Sequence, residues 1–390
     1  MKKNLLRIGI RKLFGWFYII LYLFQKPLIV LLPLKRVYSL VCVLPIIEEF
    51  RKRDIRFFIT YKKNDPDYDD ITELLVQRKL ITNYLPYIYA PFLNFKVLLT
   101  CFHYDRYPYQ ISQPRTIKQF LLKKFGEFFL QKRLFVFAQH GLVGSRIPKP
   151  PYFWNNFDYV LATGEHDYKK ISEKISNNTN IVKIGFPKLD PLFFPTGPTN
   201  SNRPSNKTIF FAPTWGNLEN VTIFLFFLKE YCVKRSDSFV IFRPHDVDRR
   251  LYRQRFEKLI RIAQQSENMI FIPNAQVMSA YKKANVLISD DSSSITEFLV
   301  MNKPVIRMPF SRRVFEERNF SSDKIILKLY SENTYTVNSK YDLFNQLDNL
   351  LNRQYDPLKE RCKHHTVSDL LIYNKGRATL AVCNFIESLF

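Results

Sequence analysis

The sequence is short of acid. It holds 35 acidic residues against 59 lysines and arginines, a formal net charge of +24. A balance that far from zero turns the surface toward anionic partners: polyphosphate, nucleic acid or acidic membrane. Paired cysteines are missing too. Cys42, Cys101, Cys232, Cys362 and Cys383 are scattered, with no CxxC pair and no histidine at metal-ligand spacing. Neither a zinc site nor a cofactor that needs one is expected, and the thiols read as reduced, in a cytosolic setting. There is no internal repeat of solenoid period and no long low-complexity tract, which excludes a repeat array. A clean apolar run of about 20 residues, the requirement for a spanning helix, is absent. Phe14 to Leu34 comes nearest and is interrupted by Gln25, Lys26, Pro27 and Pro33. No small-residue cleavage site follows it, so a signal peptide is not expected.

What the N-terminus does have is a row of bases, Lys2, Lys3, Arg7, Arg11 and Lys12, ahead of Phe14, Trp16, Phe17 and Tyr18. Bases beside amphipathic rings suit anionic headgroups, so residues 1–34 are read as a membrane-associating segment. A buried helix and a true transmembrane span are the alternatives. The length of 390 residues allows two domains with separate cores, at roughly 100 to 200 residues each.

From Arg36 onward short apolar runs alternate with polar helical stretches. Val37 to Leu44 reads as a buried strand, Pro45 to Asp54 as a helix, and Ile55 to Thr60 as the next strand. Further strands are expected at Phe95 to Thr100, Leu134 to Ala138, Tyr159 to Ala162 and Ile181 to Ile184, with a helix over Ile117 to Leu130. Asp65 to Asp70, DPDYDD, reads as a solvated loop. Residues 193–207 are rich in proline, serine, asparagine and glycine and form the expected linker. A second series follows, with strands at Thr208 to Phe211, Phe239 to Phe242, Met269 to Ile272 and Val286 to Ile288. A basic helix is expected around Arg249 to Gln264. The pattern predicts an α/β protein of two Rossmann-like domains, residues 35–192 and 208–390, with a cleft between facing strand ends. The last helix, Arg377 to Leu389, would pack back across them.

Strand ends in such sheets carry ligand-facing turns. Here they hold Gln139-His140-Gly141, Gly185 to Asp190, Thr214 with Trp215, Arg243-Pro244-His245 and Asp290 to Ser293. The last turn opens a helix, whose unpaired N–H groups and positive dipole favour phosphate. Glu297 lies about one helical turn further in, at a distance that suits a ribose diol. An ordinary N-cap at Ser292 or Ser293 is the plain alternative.

In order, these turns resemble the bacterial CDP-glycerol glycerophosphotransferases of teichoic-acid and capsule synthesis. QHG at Gln139 to Gly141 resembles that family's HG turn and GFPKLD at Gly185 to Asp190 its GxPRxD segment. FAPTW at Phe211 to Trp215 resembles its APTW, RPH at Arg243 to His245 its RxHP, LISDDSS at Leu287 to Ser293 its LITDYSS; Lys303-Pro304 also fits. Departures are Gln139 for tryptophan, Asp246 for proline and Asp291 for tyrosine. The resemblance implies a GT-B type fold and transfer of glycerol phosphate, or a related polyol phosphate, from a CDP-linked donor with release of CMP. It implies His140 as general base and His245 as a second catalytic group. Arg243, His245, Thr214, Ser292 and Ser293 would hold the donor diphosphate and Glu297 the ribose, with no metal and no cofactor beyond the nucleotide donor. The acceptor would be lipid-linked or polymeric and the protein peripheral, at the cytoplasmic face of a bacterial membrane. Two other readings stay open. DDSSSITE also resembles the DSGGxxE loop of UDP-sugar enzymes, which would make this a GT-B glycosyltransferase. A polyanion or nucleic-acid binder is the non-enzymatic alternative, disfavoured because the bases are dispersed and no RNA-binding signature is present.

Overall fold

The computed structural model describes residues 28–34, 36–63, 67–86, 95–101, 133–142, 153–175, 178–193, 207–273, 276–309, 323–358 and 366–390. The basic and aromatic stretch 1–27, the helix expected at 117–130, Cys362 and most of the linker lie outside the described residues.

Two parallel sheets organise the chain. The first holds β1 (Leu28–Pro33), β2 (Phe57–Tyr61), β3 (Tyr84–Pro86), β4 (Phe95–Thr100), β5 (Leu134–Ala138), β6 (Tyr159–Ala162) and β7 (Asn180–Lys183), in the order β3-β2-β1-β4-β5-β6-β7. The second holds β8 (Lys207–Phe211), β9 (Ser238–Phe242), β10 (Met269–Phe271), β11 (Val286–Ser289), β12 (Val305–Arg307) and β13 (Tyr335–Thr336), in the order β10-β9-β8-β11-β12-β13. Each series starts in mid-sheet, runs to one edge and then jumps back across its first strand. The order therefore reverses between β1 and β4 and again between β8 and β11, and the crevice beyond the carboxyl ends of such a pair is where ligands bind in doubly wound sheets. Buried central strands such as Val286, Leu287 and Ile288 are apolar on both faces because helices cover both sides.

One apolar cluster runs unbroken from Val30, Leu40 and Ile47 in the first half to Phe210, Ile295 and Phe298 in the second. A second cluster, around Phe211, Leu225 and Phe242, fills the outer side of the second sheet. The helix Ala378–Ser388 lies on the first half: Arg53 Nη1 meets Glu387 Oε2 at 2.7 Å, and Phe385 packs edge-on against Tyr159.

The N-terminal part of the sequence reading needs correction. Leu28–Pro33, assigned with the membrane-associating segment, is an interior strand of the first sheet, paired on both sides by β2 and β4. A strand buried on both faces and a segment that prefers lipid carry the same composition, so hydropathy does not separate them. Val37 to Leu44 is not a strand but the start of a helix, Val37–Lys52, with Pro45 inside it. Its side chains at Val37, Leu40, Val41, Cys42 and Val43 are all buried, so the run shows no helical period to read. The basic helix is two, Asp246–Leu251 and Arg253–Gln264, parted at Tyr252. Asp67, expected in a solvated loop, is 1% exposed and accepts from the Val37 backbone N–H at 3.2 Å. It thereby caps the buried helix from a distance.

Among the described residues, no helix is long and apolar enough to cross a membrane, and no group of three His, Cys, Asp or Glu side chains is placed to hold a metal.

Candidate active site

The second sheet places three turns side by side at the β8/β11 reversal, and two buried aspartates fasten them. Asp290 accepts from the Thr214 backbone N–H at 2.7 Å, from Asn217 Nδ2 at 3.0 Å and from the Asp291 N–H at 2.8 Å. Burial pushes its pKa upward and these three hydrogen bonds oppose the shift. Asp248, 2% exposed, accepts from the Gly216 N–H at 2.8 Å. Gly216 has φ +84°, a left-handed conformation that costs glycine nothing. The turn after β8 is thus tied to both the turn after β11 and the helix after β9. A cradle fixed in this way presents its groups without reorganising.

Ser292 is the N-cap of the helix Ser293–Val300: its Oγ accepts from the Ser294 N–H at 3.2 Å and donates to Ser294 Oγ at 3.3 Å. Its hydroxyl is spent inside the turn, which is the plain alternative raised above. Ser293 faces the other half. A Cβ placed on Gly141 would lie 3.3 Å from both Cβ and Oγ of Ser293, so the His140-Gly141 turn sits directly against the helix N-terminus. The His140 carbonyl accepts from Cys42 Sγ at 3.4 Å, and burial pushes that thiol up to about 12, so it stays protonated and able to donate. Gln139 is buried and lines a small cavity with Cys42, Cys101 and Gly185.

His245 caps the helix Asp246–Leu251, its Nδ1 accepting from the Val247 N–H at 3.2 Å. An accepting Nδ1 puts the proton of the neutral ring on Nε2, which makes His245 a hydrogen-bond donor there. Arg243 is 6% exposed. Its positive charge is felt by Tyr38 of the first half, by Tyr281 and by Asp246, whose pKa burial raises and Arg243 lowers. Arg249 on the next turn reaches Asp67 and Asp70 across the halves, both at 3.4 Å. Lys303 donates to the carbonyls of Tyr281 and Ala284, at 2.7 and 2.8 Å, and so fixes the end of the helix that carries Tyr281.

Glu297 is the sequence-predicted residue that departs furthest from expectation. Its carboxylate does not open onto the cleft. It pairs with Lys188 Nζ at 2.6 Å, and both side chains are 0% exposed. Sequence reasoning gave Lys188, Tyr38, Asp248 and Asn217 no role, and the GFPKLD match was the one signal that could have singled out Lys188. Asp190 from the same segment accepts from the Thr379 N–H at 2.6 Å, at the start of the last helix.

Residues 121–388 match the family described as CDP-glycerol:poly(glycerophosphate) glycerophosphotransferase. The chain belongs to this family. It is 24% identical over 244 residues to the teichoic acid glycerol-phosphate primase of Bacillus subtilis (strain 168), a match of 60% of this chain and 59% of that protein. The chain thus spans under two thirds of the length of that relative. Of solved structures, the wall teichoic acid polymerase TagF is similar with a TM-score of 0.59 at 15% identity, over 99% of this chain and 97% of that one. A UDP-GlcNAc 2-epimerase from Neisseria meningitidis, bound to UDP-GlcNAc, gives 0.55 at 14% identity, over 93% of this chain and all of that one. Likeness at these identities is one of fold, and it fits two Rossmann-like halves of GT-B type.

Proposed function

We propose that the protein transfers glycerol phosphate, or a related polyol phosphate, from a CDP-linked donor to a lipid-linked or polymeric acceptor of the cell envelope. The observation that carries this reading is the meeting of Gly141 with Ser293, which sets a strand-end histidine of one half against a phosphate-friendly helix N-terminus of the other. Membership of the glycerophosphotransferase family supports the donor class.

In the proposed step His140 takes the proton of an acceptor hydroxyl. The freed oxygen bonds to the β-phosphorus while the bond from that phosphorus to the bridging oxygen breaks, and the electron pair leaves with CMP. Little covalent help is needed, so positioning and neutralisation carry the rate. Arg243 supplies charge, His245 an Nε2–H donor, and Ser293, Thr214 and the helix N-terminus further donors on the diphosphate. Ser292 contributes by holding the turn. Peripheral association with the cytoplasmic face of the membrane, through the bases and rings of residues 2–18 and the +24 charge, belongs to the same proposal.

The test is release of CMP from labelled CDP-glycerol in the presence of membrane acceptors. His140→Ala is expected to lower kcat by about 100-fold or more while binding of CMP persists. Absence of turnover across CDP-glycerol and CDP-ribitol, with thermal protection by UDP-sugars instead, would replace this reading by a glycosyltransferase.

A further inference from the structure

Glu297 stands where a helix after a phosphate-binding turn could present a carboxylate to a ribose, yet both of its oxygens are engaged by the other half of the molecule. Oε2 accepts from Lys188 Nζ at 2.6 Å and Oε1 from the Tyr38 hydroxyl at 3.4 Å. Lys188 also donates to the Tyr38 oxygen at 2.8 Å, which closes a triangle of three side chains. The ammonium lies 4.6 Å from the Tyr38 ring centre and 5.1 Å from that of Tyr281, so its remaining faces meet π-clouds instead of water. Burial, and then the Glu297 charge, push the Tyr38 and Tyr281 phenols well above their usual range. Both stay protonated, and Tyr38 stays a donor.

The triangle is built across the halves. Tyr38 follows β1 and Lys188 follows β7, whereas Glu297 and Tyr281 come from the second half. Glu297 also sits on the helix whose first residue touches Gly141. Displacing the carboxylate toward a ribose would strand a buried ammonium, a change that costs more than two hydroxyl contacts return. We propose that Glu297 is a positioning residue and not a ribose ligand: with Lys188 and Tyr38 it fixes how the two halves meet and so where Ser293 stands, and the donor's ribose is bound without a carboxylate. This rests on the CDP-donor reading above for its ligand, though not for the triangle itself.

The experiment is a cycle on the full chain. Binding of CMP and of 2′,3′-dideoxy-CMP is measured by calorimetry on the unaltered protein, on Lys188→Met, on Glu297→Gln and on the double variant Lys188→Met/Glu297→Met. Melting temperatures are taken alongside. Each single change is expected to lower the melting temperature by roughly 5 °C or more, and the double change to regain most of it, because an apolar pair replaces a buried ion pair better than half of one. Dideoxy-CMP is expected to bind within about threefold of CMP, and the double variant to keep its CMP affinity within the same margin. A loss of about tenfold or more with dideoxy-CMP, abolished in the double variant, would make Glu297 the ribose ligand and overturn the proposal. So would a double variant no more stable than the singles. If the unaltered protein binds no CMP, the donor reading fails, and the four melting temperatures still decide the triangle.

Discussion

The two halves secure their ligand-facing turns by opposite means. In the second half the turns are laced by side chains: Asp290 gathers Thr214, Asn217 and Asp291, and Asp248 holds Gly216. In the first half they are pressed shut by backbone. A Cβ on Gly164 would lie 2.2 Å from the Leu371 carbonyl carbon, and one on Gly185 2.2 Å from the Tyr373 carbonyl oxygen. Hydrogen-bonded turns tolerate small shifts because a bond lengthens gradually, whereas backbone in contact has nowhere to go. The laced cradle is suited to a charged donor that must be held and released. The pressed one fixes the ends of β6 and β7, beside the turn that carries His140.

Gly164→Ala should therefore have the largest effect, since the new methyl meets backbone that no side-chain rotation can clear. Loss of soluble, cooperatively melting protein is the expected outcome. Gly141→Ala meets only the Ser293 side chain, at 3.3 Å, and is expected to melt normally while kcat falls. If both variants fold equally well, the contrast between the halves is wrong. Next comes Asp290→Ala, which takes the acceptor from the buried Thr214 N–H and from the half-buried Asp291 N–H and leaves Asn217 Nδ2 only the Pro309 carbonyl. A destabilisation of about 3 kcal/mol in urea melts is expected, with the loss concentrated in nucleotide affinity rather than in the first half.

A smaller, pH-dependent effect is expected at the His166–Asp323 pair, 2.8 Å long and buried, which joins the first half to the helix Lys324–Asn333. Burial alone would raise the Asp323 carboxyl, but His166, the Ile326 N–H and Lys170 outweigh it and hold the pKa below its usual 3.8. A carboxyl lowered on folding contributes stability that is present above its unfolded value and is lost as the pH falls through the folded one. Melting temperature should drop as the medium is acidified below the ordinary carboxylate range, and Asp323→Asn should flatten that drop. The smallest effect belongs to Arg53→Ala on the exposed contact with Glu387 and Asn384, at about 0.5 kcal/mol and screened by salt.

Much of this architecture was legible because parallel strands announce themselves as short apolar runs, and the turns that follow them carry their chemistry in sequence order. Thr208 to Phe211, Phe239 to Phe242 and Val286 to Ile288 fall inside strands for that reason. The first seventy residues were harder. Val30 to Pro33 and the start of the helix Val37–Lys52, with Val37, Leu40, Val41, Cys42 and Val43 buried, carry apolar side chains with no regular polar face, and such a run gives no period to measure. Residue identity at the site was legible, and pairing was not. Glu297 and Lys188 are separated by 109 positions, and nothing local to either residue shows that one answers the other's charge. Ser292 likewise was marked as a hydroxyl, but only its contact with Ser294 shows that the hydroxyl is already committed.

The backbone that presses on Gly164 and Gly185 belongs to residues 371–373, and the helix Ala378–Ser388 that follows lies on Tyr159 and Arg53. The first half is therefore completed by residues the ribosome adds more than 170 positions after β7. Until those residues are made, the turns after β6 and β7 lack the backbone that covers Gly164 and Gly185. The half that carries the proposed general base is thus finished only after the donor cradle has been made, so an unfinished chain carries the parts of the site without the site.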